Sequence, residues 1–268
     1  MNLEDQTPIY QLAQGDLPFL VSVPHVGTLV PETILDSFTA EAKRLPDTDW
    51  FVDQLFDFPE LSRATLIKSN FNRYVIDLNR STDGENLYPG KPTPELCPTT
   101  CFDGTAIYEQ APPDRAEIQR RTSTYWQPYH DQIAAIIADF KARFDFALIL
   151  DIHSIASCVP RLFDGTLPDF NFGTNHEKSC GRSLNARIRE FADSTSEFSA
   201  AFNGRFVGGF ITRNYGNPGN KIHSVQIEIS QATYLDETTG NWDEQKAARV
   251  RPVMKEFFCL LSDWIKKT

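Results

Sequence analysis

The segment Phe146–Ile152 (Phe-Ala-Leu-Ile-Leu-Asp-Ile) constrains the fold of this chain more than any other stretch. A nearly unbroken apolar run of that length needs cover on both faces, which is the situation of a central strand in a parallel sheet with helices packed on either side. It runs directly into His153, so the stretch that specifies a buried strand also specifies where a reactive side chain emerges.

Other segments extend the pattern. Leu17–Val23 is a second short apolar run, ended by Pro24 and Gly27, and predicts a buried strand that hands His25 to a loop. Ala64–Ser69 and Tyr74–Leu78 are predicted as two further strands. Ser224–Ile229 alternates, with Val225, Ile227 and Ile229 on one face and Gln226 and Glu228 on the other. Ala116–Phe144 places Ile118, Tyr125, Tyr129, Ile133, Ile136, Ile137 and Phe140 at helical spacing, and Pro128 should kink or divide that helix. Ser183–Phe191 and Asn241–Lys267 are also predicted helices, and the Gly- and Pro-rich stretches Ser81–Thr105, Asp164–Thr174 and Gly208–Lys221 are expected to be loops that grip a substrate. Strands alternating with long helices indicate an α/β sandwich with a mainly parallel sheet, and 268 residues suit a single domain spanning 1–268.

Composition narrows the partners. A formal charge of −10 and a pI near 5.0, without clustered Lys and Arg, argue against nucleic acid or an anionic membrane. The start Met1-Asn2-Leu3-Glu4-Asp5 lacks the basic and apolar regions of a secretory signal, and no stretch approaches the roughly 20 apolar residues of a membrane span, so a cytoplasmic location is expected. The five cysteines are odd in number and widely spread, which reads as reduced thiols. A negative surface does not forbid an anionic substrate, because a metal and a few arginines can reverse the potential inside one pocket.

Two histidines, His25 and His153, stand at the carboxyl ends of separate predicted strands, where open α/β sheets form their ligand crevice. A shared metal explains the pair economically, with Asp151 on the same side of its strand as His153 and able to orient an imidazole. A catalytic zinc takes three protein ligands and keeps one position for water. Candidates for the third are Asp49, Glu32 and Asp47, of which Asp47 and Asp49 could instead cap the segment Trp50–Phe56. Glu228, rigidly held on a strand, is the candidate general base. Arg80 beside Asn79 suits a planar carboxylate, Arg73 could bind substrate or stabilise an oxyanion, and Arg213 is a second cationic candidate on a glycine-rich loop. His223 is a candidate substrate-pocket or proton-shuttle group, whereas His130 and His176 read as structural.

Taken together, Ser-Val-Pro-His25-Val-Gly, Asp47-Thr-Asp49-Trp50, Arg73-Tyr-Val-Ile-Asp77-Leu-Asn79-Arg80, Asp151-Ile-His153-Ser154, Gly-Gly-Phe-Ile-Thr212-Arg213-Asn-Tyr-Gly216 and Gln226-Ile-Glu228 resemble the N-formylglutamate amidohydrolases, over roughly residues 17 to 240. The resemblance implies a three-layer α/β sandwich with a mixed, mainly parallel central sheet, of the zinc carboxypeptidase-like (phosphorylase/hydrolase-like) kind shared with aspartoacylase. It implies a Zn2+ centre, or another divalent metal, on His25 and His153, a substrate α-carboxylate on Asn79 and Arg80, Arg73 at the scissile carbonyl, and Glu228 as base. The related enzymes draw a ligand from a His-x-x-Glu motif, but the residue three after His25 is Thr28. Asp49 takes that place on the strength of the deformylase-like block. The implied reaction is hydrolysis of N-formyl-L-glutamate to formate and L-glutamate, in histidine breakdown.

The expected partner is a small N-acyl amino acid, with self-association into a homo-oligomer left open. Two other readings remain. One is a metal-dependent amidohydrolase acting on another N-acyl amino acid, or a carboxypeptidase-like enzyme. The other is a non-catalytic protein that binds acidic amino acids.

Overall fold

The apolar run around Phe146 becomes a nine-residue strand, Ala147–Ile155, with every side chain buried. It lies at the middle of a seven-stranded sheet in the computed structural model, which describes residues 7–84 and 93–267. In chain order the strands are β1 (Tyr10–Ala13), β2 (Phe19–Val23), β3 (Thr65–Ser69), β4 (Ala147–Ile155), β5 (Phe170–Gly173), β6 (Ala200–Phe202) and β7 (Ile222–Ser230). They are arranged β1-β3-β2-β4-β7-β5-β6. The pairs β3/β2, β2/β4, β4/β7 and β5/β6 are parallel, while β1/β3 and β7/β5 are antiparallel, so the sheet is mixed and mainly parallel as expected.

The helices are α1 (Glu32–Leu35), α2 (Arg115–Arg121), α3 (Gln127–Phe144), α4 (Arg182–Ser194), α5 (Phe210–Tyr215) and α6 (Glu244–Ile265). They cover both faces of the sheet. On one face Phe19, Val21, Leu148, Leu150, Val225 and Ile227 pack against Leu184 and Ile188 of α4 and against Met254, Phe257 and Leu261 of α6. On the other, Leu20, Ile67, Ala147 and Ile149 meet Tyr129, Ile133 and Ile137 of α3. The continuous apolar character of β4 thus has its cause in two cores separated by one strand's thickness.

The α3 face changes character along each central strand. On β4 it reads Ala147, Ile149, then Asp151 and His153; on β2 it reads Leu20, then Ser22; on β7 it reads Ser224, Gln226, Glu228. Apolar groups at the amino ends anchor the helix, and polar groups gather at the carboxyl ends.

Several local expectations change. Tyr74–Leu78 is buried but forms turns, not a strand. Its amides are satisfied locally: Tyr74 N donates to Asn72 Oδ1 at 3.0 Å and Val75 N to Asn72 O at 2.9 Å, an Asx-type turn that replaces ladder pairing. The predicted loops Asp164–Thr174 and Gly208–Lys221 contain β5 and α5. The kink expected at Pro128 is expressed as a π segment, Thr122–Trp126, immediately before α3, a usual way to absorb a missing backbone donor. The start of the chain read as lacking a signal, and 85–92 of the loop expected over Ser81–Thr105, lie outside the described residues. Among the described residues no helix is long and apolar enough to cross a membrane.

Phe19 of β2 stacks on Phe258 of α6 with ring centroids 5.0 Å apart, both fully buried. Phe258→Ala is expected to cost about 3–5 kcal/mol of stability, measured from the urea unfolding midpoint. A loss below about 1 kcal/mol would mean that this face of the sheet repacks without a cavity.

Candidate active site

Val23 ends β2, and Pro24 turns the chain so that His25 points back over the sheet, where it meets His153 of β4. Their Nδ1 atoms are 3.1 Å apart. Asp49, from the loop before a short 3-10 helix (Val52–Phe56), places Oδ2 3.2 Å from His153 Nδ1 and 3.7 Å from His25 Nδ1. All three residues are buried.

The outer nitrogens are spoken for. His25 Nε2 lies 2.8 Å from Asp77 Oδ1, and His153 Nε2 lies 2.8 Å from Asp151 Oδ2. A ring that donates through Nε2 to a carboxylate presents a lone pair at Nδ1, which is how metal-binding histidines are commonly oriented. Two such lone pairs and a carboxylate oxygen therefore aim at one point. A tetrahedral ion with bonds of about 2.0–2.1 Å spaces its ligands roughly 3.3 Å apart, so these separations fit a divalent cation of zinc size. The carboxylates around the cluster favour positive charge at this point, and a proton on His153 competes with a cation for it. Burial opposes protonation of His153, but Asp151 and Asp49 outweigh it and raise its pKa well above the ordinary histidine value. Burial likewise opposes ionisation of Asp49, yet His153, His25 and Arg73 hold its pKa below the usual carboxylate value.

The other candidates for third ligand lie elsewhere. Glu32 is exposed on α1. Asp47 Oδ2 accepts from Tyr74 Oη at 2.6 Å and from Phe102 N at 2.7 Å, and burial pushes its pKa up to about 6. Neither Asp47 nor Asp49 caps the short helix that follows, whose amino end has no side-chain cap.

Glu228 stands opposite His153 in the β4/β7 register, on the same face of the sheet, and both line one cavity. Its Oε2 accepts from Gln226 Nε2 at 3.2 Å, and Gln226 Oε1 in turn accepts from Gly209 N at 2.7 Å. Burial pushes the Glu228 carboxyl up to about 7, against the opposing pull of His153. Gln226 was read from sequence only as a neighbour on the strand. In the structure it fixes the carboxylate to the loop that leads into α5.

Arg73 also lines the cavity, with Nη1 3.4 Å from Asp49 Oδ1 and Nη2 2.9 Å from Asp77 Oδ2. It bridges a cluster carboxylate and the carboxylate that orients His25. Asn79 is a hub: its backbone N–H donates to Asp77 Oδ1 at 2.8 Å, Nδ2 reaches Asp151 Oδ2 at 3.1 Å, and Oδ1 accepts from Ile211 N at 2.7 Å. Gly209 leaves room for it, since a Cβ there would lie 2.4 Å from Asn79 Nδ2. Arg80 lines the cavity and donates through Nε to Pro94 O and through Nη1 to Asn79 O.

Arg213 and His223 do not line this cavity. Arg213 donates to Gly208 O at 2.8 Å. His223 is an odd number of residues from Glu228 on β7 and so projects from the opposite face. There it packs between Phe146 and Trp264 and accepts from Gly181 N at 2.9 Å. Arg205, which the sequence did not single out, does line the cavity, with Nε donating to Leu162 O at 2.8 Å. It lies outside every recognisable motif, so only the fold brings it in. His130 is structural as expected, bonded to Leu78 O and Tyr215 Oη and stacked on Trp126.

Comparison with known proteins gives a consistent result. The family model for N-formylglutamate amidohydrolase matches residues 17–235. The chain is 41% identical over 258 residues to N-formylglutamate deformylase of Pseudomonas aeruginosa, covering 96% of this chain and 97% of that protein. It is 40% identical over 253 residues to N-formylglutamate deformylase of Pseudomonas putida, covering 94% of each. Among solved structures, an N-formylglutamate amidohydrolase from Ralstonia eutropha JMP134 shares the fold with a TM-score of 0.82 at 24% identity, over 96% of this chain and 98% of that one. A gene product of Agrobacterium tumefaciens superposes with a TM-score of 0.71 at 21% identity, over 97% of each chain.

Asp151→Asn keeps the size of the group beside His153 but not its charge. If the cluster takes up added zinc, the substitution is expected to weaken that binding about 10- to 100-fold without altering the far-UV circular dichroism spectrum, as read by competition with a chelating dye. Unchanged affinity would show that Asp151 does not orient a ligand.

Proposed function

The chain belongs to the N-formylglutamate amidohydrolase family, and from that premise we propose that it hydrolyses N-formyl-L-glutamate to formate and L-glutamate at a zinc centre held by His25, His153 and Asp49, with Glu228 as general base. The observation that carries this reading is the convergence of both Nδ1 atoms and Asp49 Oδ2 on one point in a cavity that also contains the Glu228 carboxyl. A divalent cation bound there supplies positive charge that polarises the formyl carbonyl and acidifies water.

The chain's own groups account for the remaining steps. Glu228 takes a proton from the attacking water as its oxygen bonds to the formyl carbon, then returns that proton to the nitrogen as the C–N bond breaks. Formate departs from the acyl side and the amine from the other. A carboxyl raised to about 7 by burial can accept and return a proton near neutrality. Gln226 holds the carboxyl in line through its bond to Oε2. Arg73, tied to Asp49 and Asp77, steadies the cluster and lends positive charge where the oxyanion develops. The substrate carries two carboxylates; Arg80 is placed to receive the α-carboxylate, and Arg205 adds a second guanidinium to the charge of the same cavity.

The whole chain serves as one amidohydrolase domain in this reading. The reaction completes one route of histidine breakdown, and we assign it to the cytoplasm, where an exposed free thiol such as Cys158 persists.

Glu228→Gln is expected to lower kcat for formate release by about 10²- to 10⁴-fold while the purified protein retains its zinc, as measured by elemental analysis. Near-normal turnover would remove Glu228 from the chemistry. Treating the native enzyme with a strong chelator should abolish formate release, and added zinc should restore it. Full activity in the chelated protein would exclude a metal-dependent reaction.

A further inference from the structure

Beside the cluster, two cavities meet at a shared partition. Phe102 and Ile155 line the catalytic cavity, and the same two residues line a second cavity with Pro46, Asp47, Val159 and Gln231 around it. Counted to their open mouths, the two enclose about 560 and 610 Å³.

The partition is firmly held. Phe102 N donates to Asp47 Oδ2 at 2.7 Å, and that carboxylate is itself anchored by the Tyr74 hydroxyl at 2.6 Å. The Phe102 ring lies against the Arg73 guanidinium, 4.8 Å from its central carbon. Ile155 is the last residue of β4, two beyond His153 and so on the same face, and it is buried. Asp47, considered from sequence as a metal ligand, instead fixes this wall.

The cluster has two flanks. Asp49 accepts from Ser154 N at 3.1 Å and from Arg73, and the Phe102 ring packs on that same Arg73, the group proposed to lie beside the scissile carbonyl. Asn79 reaches the outer nitrogen of His153 at 2.8 Å, and Arg80 is held on Asn79 O, which places Arg80 on the other side. A substrate whose α-carboxylate is received by Arg80 and whose scissile carbonyl lies beside Arg73 directs its acyl group toward Phe102, the ring that packs on Arg73.

We propose that Phe102 and Ile155 form the wall that limits the acyl group to one carbon. This inference rests on the amidohydrolase reading above. A hydrogen on the acyl carbon fits against this wall, whereas each added methyl must displace the half-buried Phe102 ring or the buried Ile155 side chain. Shortening either residue opens the catalytic cavity into its neighbour and gives a longer acyl chain somewhere to go.

The test uses the full-length zinc enzyme and compares kcat/KM on N-formyl-, N-acetyl- and N-propionyl-L-glutamate for the native protein, Phe102→Ala and Ile155→Ala. The formyl-to-acetyl ratio is expected to fall at least tenfold in each variant, with the propionyl substrate gaining more than the acetyl. Ile155→Ala leaves the Arg73 contact intact, so it carries the test if Phe102→Ala proves unfolded by circular dichroism. Ratios within twofold of native in folded variants that still release formate would overturn the wall. So would a gain confined to N-formyl amino acids with larger side chains, because the partition would then face the amino-acid end. Failure of the native enzyme on N-formyl-L-glutamate would instead overturn the reaction itself, and the wall with it.

Discussion

Two hydrogen bonds decide how the centre of this molecule is built: His25 Nε2 to Asp77 and His153 Nε2 to Asp151, each at 2.8 Å. A carboxylate beside each of those nitrogens favours the tautomer protonated at Nε2, which turns Nδ1 of both rings toward Asp49 Oδ2. Three acceptors brought that close in a desolvated site repel one another unless positive charge lies between or beside them. Arg73, buried and bonded to both Asp49 and Asp77, provides part of that charge from the side. Burial works against its ionisation, but Asp77 and Asp49 hold its pKa above the ordinary arginine value. Removing any of these groups leaves another charge buried without its partner, which is more costly than the loss of a surface pair.

The sheet makes that density of charge affordable. Its α3 face is apolar where Leu20, Ala147 and Ile149 contact the helix and polar only toward the carboxyl ends of β2, β4 and β7. Ser22 shows the transition, bonding Asp151 Oδ1 on its own sheet and Tyr129 Oη on the helix, both at 3.1 Å. The parallel register of β4 with β7 sets Glu228 opposite His153, so the relation between the carboxyl and the cluster is fixed by backbone pairing along two nine-residue strands. The turn at Tyr74–Arg80 is fixed differently, by side chains: Asn79 ties Asp77, Asp151 and the start of α5 into one network.

The parts legible in the sequence are those governed by burial along a strand. Phe146–Ile152 announced β4 because a two-faced core demands unbroken apolar residues, and the alternation at Ser224–Ile229 placed Glu228 on the working face. His223 stands as a pocket candidate in the sequence because the predicted strand begins at Ser224; β7 starts at Ile222, so His223 is an odd step from Glu228 and projects from the other face. Tyr74–Leu78 misled because its apolar side chains are indeed buried, while its backbone is held by Asn72 and by Leu96 O, a partner far along the chain. Arg205 carried no signal, since an arginine in a polar stretch looks the same whether it lines a cavity or meets solvent. Position in three dimensions was the missing information.

The contrast between the whole surface and the cavity follows from the same physics. A net charge of −10 describes a chain whose acidic groups are mostly at the surface, where water screens them. The cavity collects Arg73, Arg80 and Arg205. Its closest acidic groups are engaged: Asp77 is held far below the ordinary carboxylate value, against burial, by His25, Arg80 and Arg73, and Asp49 is shared among His153, His25 and Arg73. Glu228 is the exception, a carboxyl that accepts from the uncharged Gln226 amide and whose pKa burial drives upward. In the proposed reaction, one carboxyl driven toward its neutral form among carboxylates held ionised would separate the group that moves protons from the groups that hold position, by environment alone.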